Sequence, residues 1–188
     1  IWPQIRAKMP QAQLHVYGSY AGAKVLQLHK PAEGFHVLGR AEDALTVMKN
    51  ARVCLAPLRF GAGIKGKLAE AMLCGTPSVT TAVGAEGLRG EMPWNGAVTE
   101  ELSIFVNAAV ELYQDKNKFM EAQQNGFSII EKRFETLDKE QNFIQCINNL
   151  LQNLQEHRSK NFVGSMLMHH SLQSTKYLSK WIEEKNKL

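Results

Sequence analysis

Short apolar runs alternate with helical spacings through the first half of the chain. Gln13–Tyr17, Phe35–Leu38, Arg52–Ala56 and Ser78–Thr81 are four or five residues long. Each ends in glycine or proline: Gly18, Gly39, Pro57 and, a little further on, Gly84 and Gly87. Runs of this length and punctuation predict strands. Between them, Trp2–Met9, Ala21–His29, Asp43–Asn50 and Ile64–Cys74 place apolar residues three and four apart, the spacing of a one-sided helix. Pro31–Gly34 breaks the second helix, and Gly75-Thr76-Pro77 closes the fourth.

Such alternation predicts an α/β fold, a Rossmann-like parallel sheet with helices on both faces. Glycine at the strand ends places the ligand side at the carboxyl edge of that sheet. Beyond Val98 the pattern changes. Glu101–Gln114, Lys116–Arg133, Asp138–Glu156 and Leu172–Lys187 read as helices, Asn161–His170 as a connector, and no further strand is predicted. The expected organisation is a Rossmann-like domain over residues 1–134 and a helical carboxyl-terminal extension over 135–188.

With 188 residues, 44% hydrophobic, the chain can bury a core without a metal or disulfide staple. Its three cysteines, Cys54, Cys74 and Cys146, have no CxxC spacing. They predict a reducing, cytoplasmic setting. No apolar run approaches the ~20 residues of a membrane-spanning helix. The net charge of +4 is concentrated late: Arg158, Lys160, Lys176, Lys180, Lys185 and Lys187 face only Glu183 and Glu184 from residue 158 onward. The body lacks a basic stripe interleaved with aromatics, so no nucleic-acid partner is expected. His169-His170 are adjacent, which does not put two ligands on one helix face, so no metal is expected there. The chain opens on Ile1 within a predicted helix, from which a longer parent polypeptide is expected.

The chemistry concentrates in Pro57-Leu-Arg-Phe-Gly61-Ala-Gly63-Ile-Lys65-Gly66-Lys67-Leu-Ala-Glu70-Ala-Met-Leu-Cys-Gly75-Thr-Pro77. It follows a strand and opens a helix, where free backbone N–H groups and the positive end of the helix dipole attract an anion. Gly61 to Gly66 spell GxGxxG, with Glu86 downstream as a ribose acid, but four residues separate strand from glycine. Gly61 to Lys67 also match seven positions of a phosphate-binding loop. The eighth, which should carry a magnesium-binding hydroxyl, is Leu68. In the plainest reading Lys65 and Lys67 are solvated charges at a helix start, and the glycines only make turns.

The whole run, with Thr81-x-x-Gly84-x-Glu86-Gly87-Leu88 after it and Phe35-His-Val-Leu-Gly39-Arg40 before it, resembles family 4 (group 1) glycosyltransferases of the GT-B fold. The resemblance covers about residues 11–114. It implies the carboxyl-terminal, donor-binding half of a retaining, metal-independent enzyme that moves a sugar from a nucleoside diphosphate. It also implies that Glu70 holds the ribose hydroxyls, and that Lys67 with the Gly61, Gly63, Ile64 and Lys65 N–H groups neutralises the diphosphate. Gly39 and Arg40 then flank the base or pyrophosphate, and Glu86, Gly87 and Leu88 close the lower edge. Where the family commonly has the first of two glutamates, this chain has Ala62. The family's Arg/Lys pair near the first strand has no counterpart, and that strand is expected upstream of Ile1.

Leu178, Trp181 and Ile182 form an apolar stripe against Lys176, Lys180 and Lys185. The expectation is that this helix docks on an amino-terminal acceptor domain of the same polypeptide, with peripheral membrane contact as the other reading. A non-catalytic nucleotide-binding or interaction module of the same fold is the competing class of function.

Overall fold

The computed structural model describes residues 1–134 and 137–187. The chain forms two compact units, Ile1–Glu135 and Thr136–Leu188. The first contains α1 (Trp2–Lys8), β1 (Leu14–Tyr17), α2 (Ala23–Leu26), a 3-10 turn (Pro31–Glu33), β2 (Phe35–Gly39), α3 (Ala44–Asn50) and β3 (Cys54–Ala56). It continues with α4 (Gly66–Leu73), β4 (Ser78–Thr80), α5 (Ala82–Ala85), β5 (Gly96–Val98), α6 (Leu102–Gln114) and α7 (Lys116–Arg133).

All strand pairs are parallel, as the alternation predicts. They form two sheets: β1 pairs with β2, and β4 lies between β3 and β5. The period-two alternation sorts side chains onto two faces. On one, Val53, Leu55, Val79 and Ala97 pack with Leu14 and Phe35 against α1 and α6, whose Ile5, Phe105, Val106 and Ala109 are buried. On the other, Cys54, Ala56 and Val98 meet Leu68 and Met72 of α4 and Ile129 and Ile130 of α7. Helices therefore cover both faces of the β3–β4–β5 sheet.

β4 is buried along its whole length, and its polar side chains are satisfied. The Ser78 hydroxyl donates to Asn95 Oδ1 at 2.7 Å, Asn95 Nδ2 donates to the Thr76 carbonyl at 3.1 Å, and Trp94 Nε1 reaches Ser78 Oγ at 3.1 Å. Thr80 Oγ1 donates to the Ala56 carbonyl at 2.8 Å. These bonds tie β3, β4 and the turn before β5 together at no cost in unpaired polar groups.

The structure corrects the sequence reading in four places. Gly96–Val98 is a strand, too short to show a period. Gly96 is required there because at φ +144 an added Cβ would lie 2.2 Å from the Ser78 carbonyl oxygen. The helix expected over Ala21–His29 shrinks to Ala23–Leu26. In the second unit, the expected single helix Asp138–Glu156 is interrupted at Asn153, giving α8 (Leu137–Gln152) and α9 (Leu154–Lys160). The expected connector Asn161–His170 is instead the start of α10 (Phe162–Lys185), because the Asn161 side chain accepts the Gly164 N–H at 2.9 Å and caps a helix there. The side chains of His169 and His170 lie outside the described residues. Among the described residues no helix is long and apolar enough to cross a membrane, and none of the described side chains over 140–187 is buried.

Candidate functional site

The carboxyl ends of the strands carry two clusters. The first is built on β3 and α4. Leaving Ala56, the chain passes through residues 57–65 and enters α4 at Gly66. Gly63 has φ +66, a left-handed conformation open to glycine, and nothing lies within 4 Å of where its Cβ would be. Backbone is exposed to an approaching ligand at that point.

The entry to α4, like those of α1, α2 and α6, has no side-chain cap, unlike those of α3, α5 and α7. Asp43 caps α3 by accepting the Leu45 and Thr46 N–H groups, and Asp115 caps α7 in the same way. Thr81 caps α5. Lys65 at the start of α4 makes no such bond, and the first turn holds no acidic residue. An uncapped first turn leaves N–H groups without an intrahelical acceptor, a polarity suited to an anion.

The two lysines have different roles here. Lys65 folds back, its side chain only 10% exposed, and donates to the Gly63 carbonyl at 2.6 Å while lying 3.5 Å from Glu86. It staples the glycine loop to the segment after α5. Gly87 follows Glu86 in a left-handed conformation (φ +75). Lys67 is exposed and pairs with Glu70 at 2.9 Å, one turn along the same helix face. Leu88 is fully buried with Leu68, Met72 and Ile129, so its side chain belongs to the core.

The second cluster lies at the ends of β1 and β2. Gly18, Tyr20, Leu26, Gly39 and Arg40 are among the residues lining an open cavity of about 330 Å³. Gly39 (φ +70) has nothing within 4 Å of its Cβ position, and Tyr20 holds φ 59 with a fully exposed ring. Gly39 and Arg40 thus share a cavity with residues the sequence did not single out. The signal available for these was a strand followed by Gly18, read only as a strand end. Asp43, just beyond, has its carboxyl held below the usual range, first by the Thr46 hydroxyl and then by the Leu45 N–H.

Burial raises the Cys54 thiol to about 11, which disfavours its thiolate. Among the described residues no three His, Cys, Asp or Glu side chains form a metal-binding group.

Parallel strands with helices on both faces, and a glycine-rich helix entry at their carboxyl edge, define a Rossmann-like α/β fold, a class in which ligands bind outside the carboxyl ends of the strands. Within that class the family is shown by sequence: residues 1–115 match the model of "Glycosyl transferases group 1", and the chain belongs to that family. Comparison with curated proteins returns no match. Among solved structures, Anabaena HepE in complex with UDP-glucose is 21% identical with a TM-score of 0.62, over 79% of this chain and 44% of that one. The pneumococcal O-GlcNAc transferase GtfA in complex with UDP and GlcNAc is 18% identical, TM-score 0.64, over 79% and 31%. S. aureus TarM is 14% identical, TM-score 0.65, over 77% and 30%. At these identities the likeness is one of fold, that of GT-B glycosyltransferases. The chain spans less than half the length of each of these three.

Proposed function

We propose that this chain is the donor-binding half of a glycosyltransferase that moves a sugar from a nucleoside diphosphate sugar to an acceptor hydroxyl with retention. The observation that carries the reading is the uncapped start of α4, preceded by the open Gly63 turn and followed one turn later by the exposed Lys67–Glu70 pair. The diphosphate takes the α4 N–H groups and Lys67. The ribose hydroxyls take Glu70, whose carboxylate accepts two hydrogen bonds once Lys67 turns to the phosphate. Gly39 and Arg40 flank the nucleotide from the β2 side, and Glu86 acts through Lys65 on the shape of the loop.

Negative charge on the leaving diphosphate grows as the glycosidic bond breaks. Fixed N–H donors and Lys67 therefore stabilise the transition state more than the bound donor. That chemistry requires no metal. UDP is the first nucleotide to try, because it is present in the named complexes of HepE and GtfA. The acceptor site belongs to another domain of the same polypeptide. In the second unit, α10 presents exposed Leu178, Trp181 and Ile182, the docking face for that domain, with Lys185 5.1 Å from the Trp181 ring centre.

Isothermal titration with UDP, GDP, ADP and ATP tests the reading, with and without magnesium, on the chain and on Glu70→Gln. Binding of one nucleotide, indifferent to magnesium and weakened at least about tenfold by the substitution, supports it. Magnesium-dependent ATP binding, or nucleotide binding unchanged in Glu70→Gln, overturns it.

A further inference from the structure

α8 and α10 both leave apolar side chains exposed, but the polar residues around those side chains differ. On α8, Phe143, Ile147 and Leu150 recur four and three residues apart on one face, and Ile144 and Leu151 widen it. All five are exposed. Among the described residues, both buried clusters draw on the chain only as far as Phe134, so the second unit shows no core of its own to cover this face.

A helix of 16 residues is marginal in water without packing. α8 is poorly equipped to stand alone, because its asparagines and isoleucines are mediocre helix formers. From Gln141 to Gln155 there is no charged residue, although 21% of the chain is charged. Ion pairs one turn apart, such as Lys160 with Glu156 on α9, are therefore not open to it. Its stability rests on whatever covers the apolar face.

The polar residues identify the occupant. Eight of the fifteen residues over 141–155 are Asn or Gln. A carboxylate or an ammonium repels its own kind, whereas a primary amide both donates and accepts and so can pair with another amide. In a two-fold interface one patch meets itself, and a charge near its centre faces its like. An apolar stripe flanked by amides meets that condition, and loss of charge is the mark of an interface core. An anionic lipid surface would call for Lys or Arg beside the stripe, and residues 141–155 supply neither. α10 is the opposite case, since Leu178, Trp181 and Ile182 share their helix with Lys176, Lys180 and Lys185. Two such faces would repel each other.

We infer that α8 is a self-association surface, and that its Phe143–Ile147–Leu150 face pairs with α8 of a second copy of this chain. Ile147 lies midway along the stripe, so it meets its own counterpart whether the two helices run parallel or antiparallel. The pairing involves no residue of the first unit, and it stands apart from the nucleotide reading.

Sedimentation equilibrium of the 188-residue chain from about 1 to 200 µM tests it. A reversible monomer–dimer equilibrium is expected. Ile147→Glu and Ile147→Lys are each expected to weaken it at least about tenfold, and an equimolar mixture of the two variants to recover it, because unlike charges then meet. A chain that stays monomeric throughout, single variants that dimerise as before, or a mixture that fails to associate overturns the inference. If the chain is monomeric and Ile147→Glu lowers its melting midpoint, the face is covered by the chain itself. If a monomeric chain binds phosphatidylcholine–phosphatidylserine vesicles and Ile147→Glu does not, the occupant is lipid. Either result also overturns it.

Discussion

The two sheets, the two halves of the first unit's β-structure, use the same kind of strand to different ends. In the β3–β4–β5 half, helices cover both faces, β4 is buried throughout, and Ser78, Asn95, Trp94 and Thr80 find partners for their polar atoms. In the β1–β2 half, His15 and Tyr17 are exposed, and His36 Nε2 is buried without a hydrogen bond. His36 meets His15 and His29 edge-on, with centroids 5.3 and 6.1 Å apart. Burial with full polar satisfaction makes the first half a scaffold. The second half is held by the single β1–β2 ladder and by the packing of Leu14 and Phe35 against the α1–α6 core. The candidate site straddles this difference, with the α4 loop on the rigid half and the Gly39–Arg40 cavity on the other.

Core truncation breaks the comparison most sharply. Leu68→Ala removes a fully buried side chain from the rigid half and is expected to cost about 2–5 kcal/mol in denaturant unfolding. Leu14→Ala, half-buried on β1, is expected to cost about 1 kcal/mol, in line with partial burial. Similar losses at the two positions would contradict the division. Asn95→Ala comes next: it removes the acceptor of the Ser78 hydroxyl proton and the donor to the Thr76 carbonyl in a buried site, for an expected loss of about 1–3 kcal/mol.

Thiol labelling sharpens the contrast without altering the protein. Cys146 is exposed, whereas Cys54 is raised to about 11 by burial on the α4 face of β3. Cys54 is expected to react at least about tenfold more slowly at pH 8. Comparable rates would show that this face of β3 opens easily. The smallest effect belongs to Asp43, whose carboxyl is held below its ordinary range and caps α3 from full exposure. A depressed folded value means its contribution is present above the unfolded pKa and disappears as pH falls through the folded one. Asp43→Asn is therefore expected to lower Tm slightly at pH 7, with the difference vanishing in the acid range. A difference that persists there would point to packing.

The scaffold was readable from sequence because β1, β2 and β3 end at glycine or proline and each long helix of the first unit keeps one apolar stripe. What escaped has local physical causes. β5 has three residues, and its glycine is dictated by the Ser78 carbonyl, a contact across the sheet. The start of α10 turned on the Asn161 cap, which overrode Gly164 and Ser165. Within the site, Gly61 to Glu70 were legible because loop and helix are contiguous. Lys65 reads from sequence as a free positive charge, yet its side chain folds back onto Gly63 and meets Glu86, 21 residues further along the chain. Tyr20 and Gly18 join Arg40 only because β1 and β2 pair, which no local pattern encodes.

The central claim is that the α4 loop holds the nucleotide. Titrating UDP into isotopically labelled protein, without magnesium, and following backbone amide resonances tests it most directly. The account predicts that Gly63, Gly66, Lys67 and Glu70 shift first and furthest, with Gly39 and Arg40 following, and that α10 stays unmoved. Shifts confined to other segments, or arising only with magnesium, would contradict it.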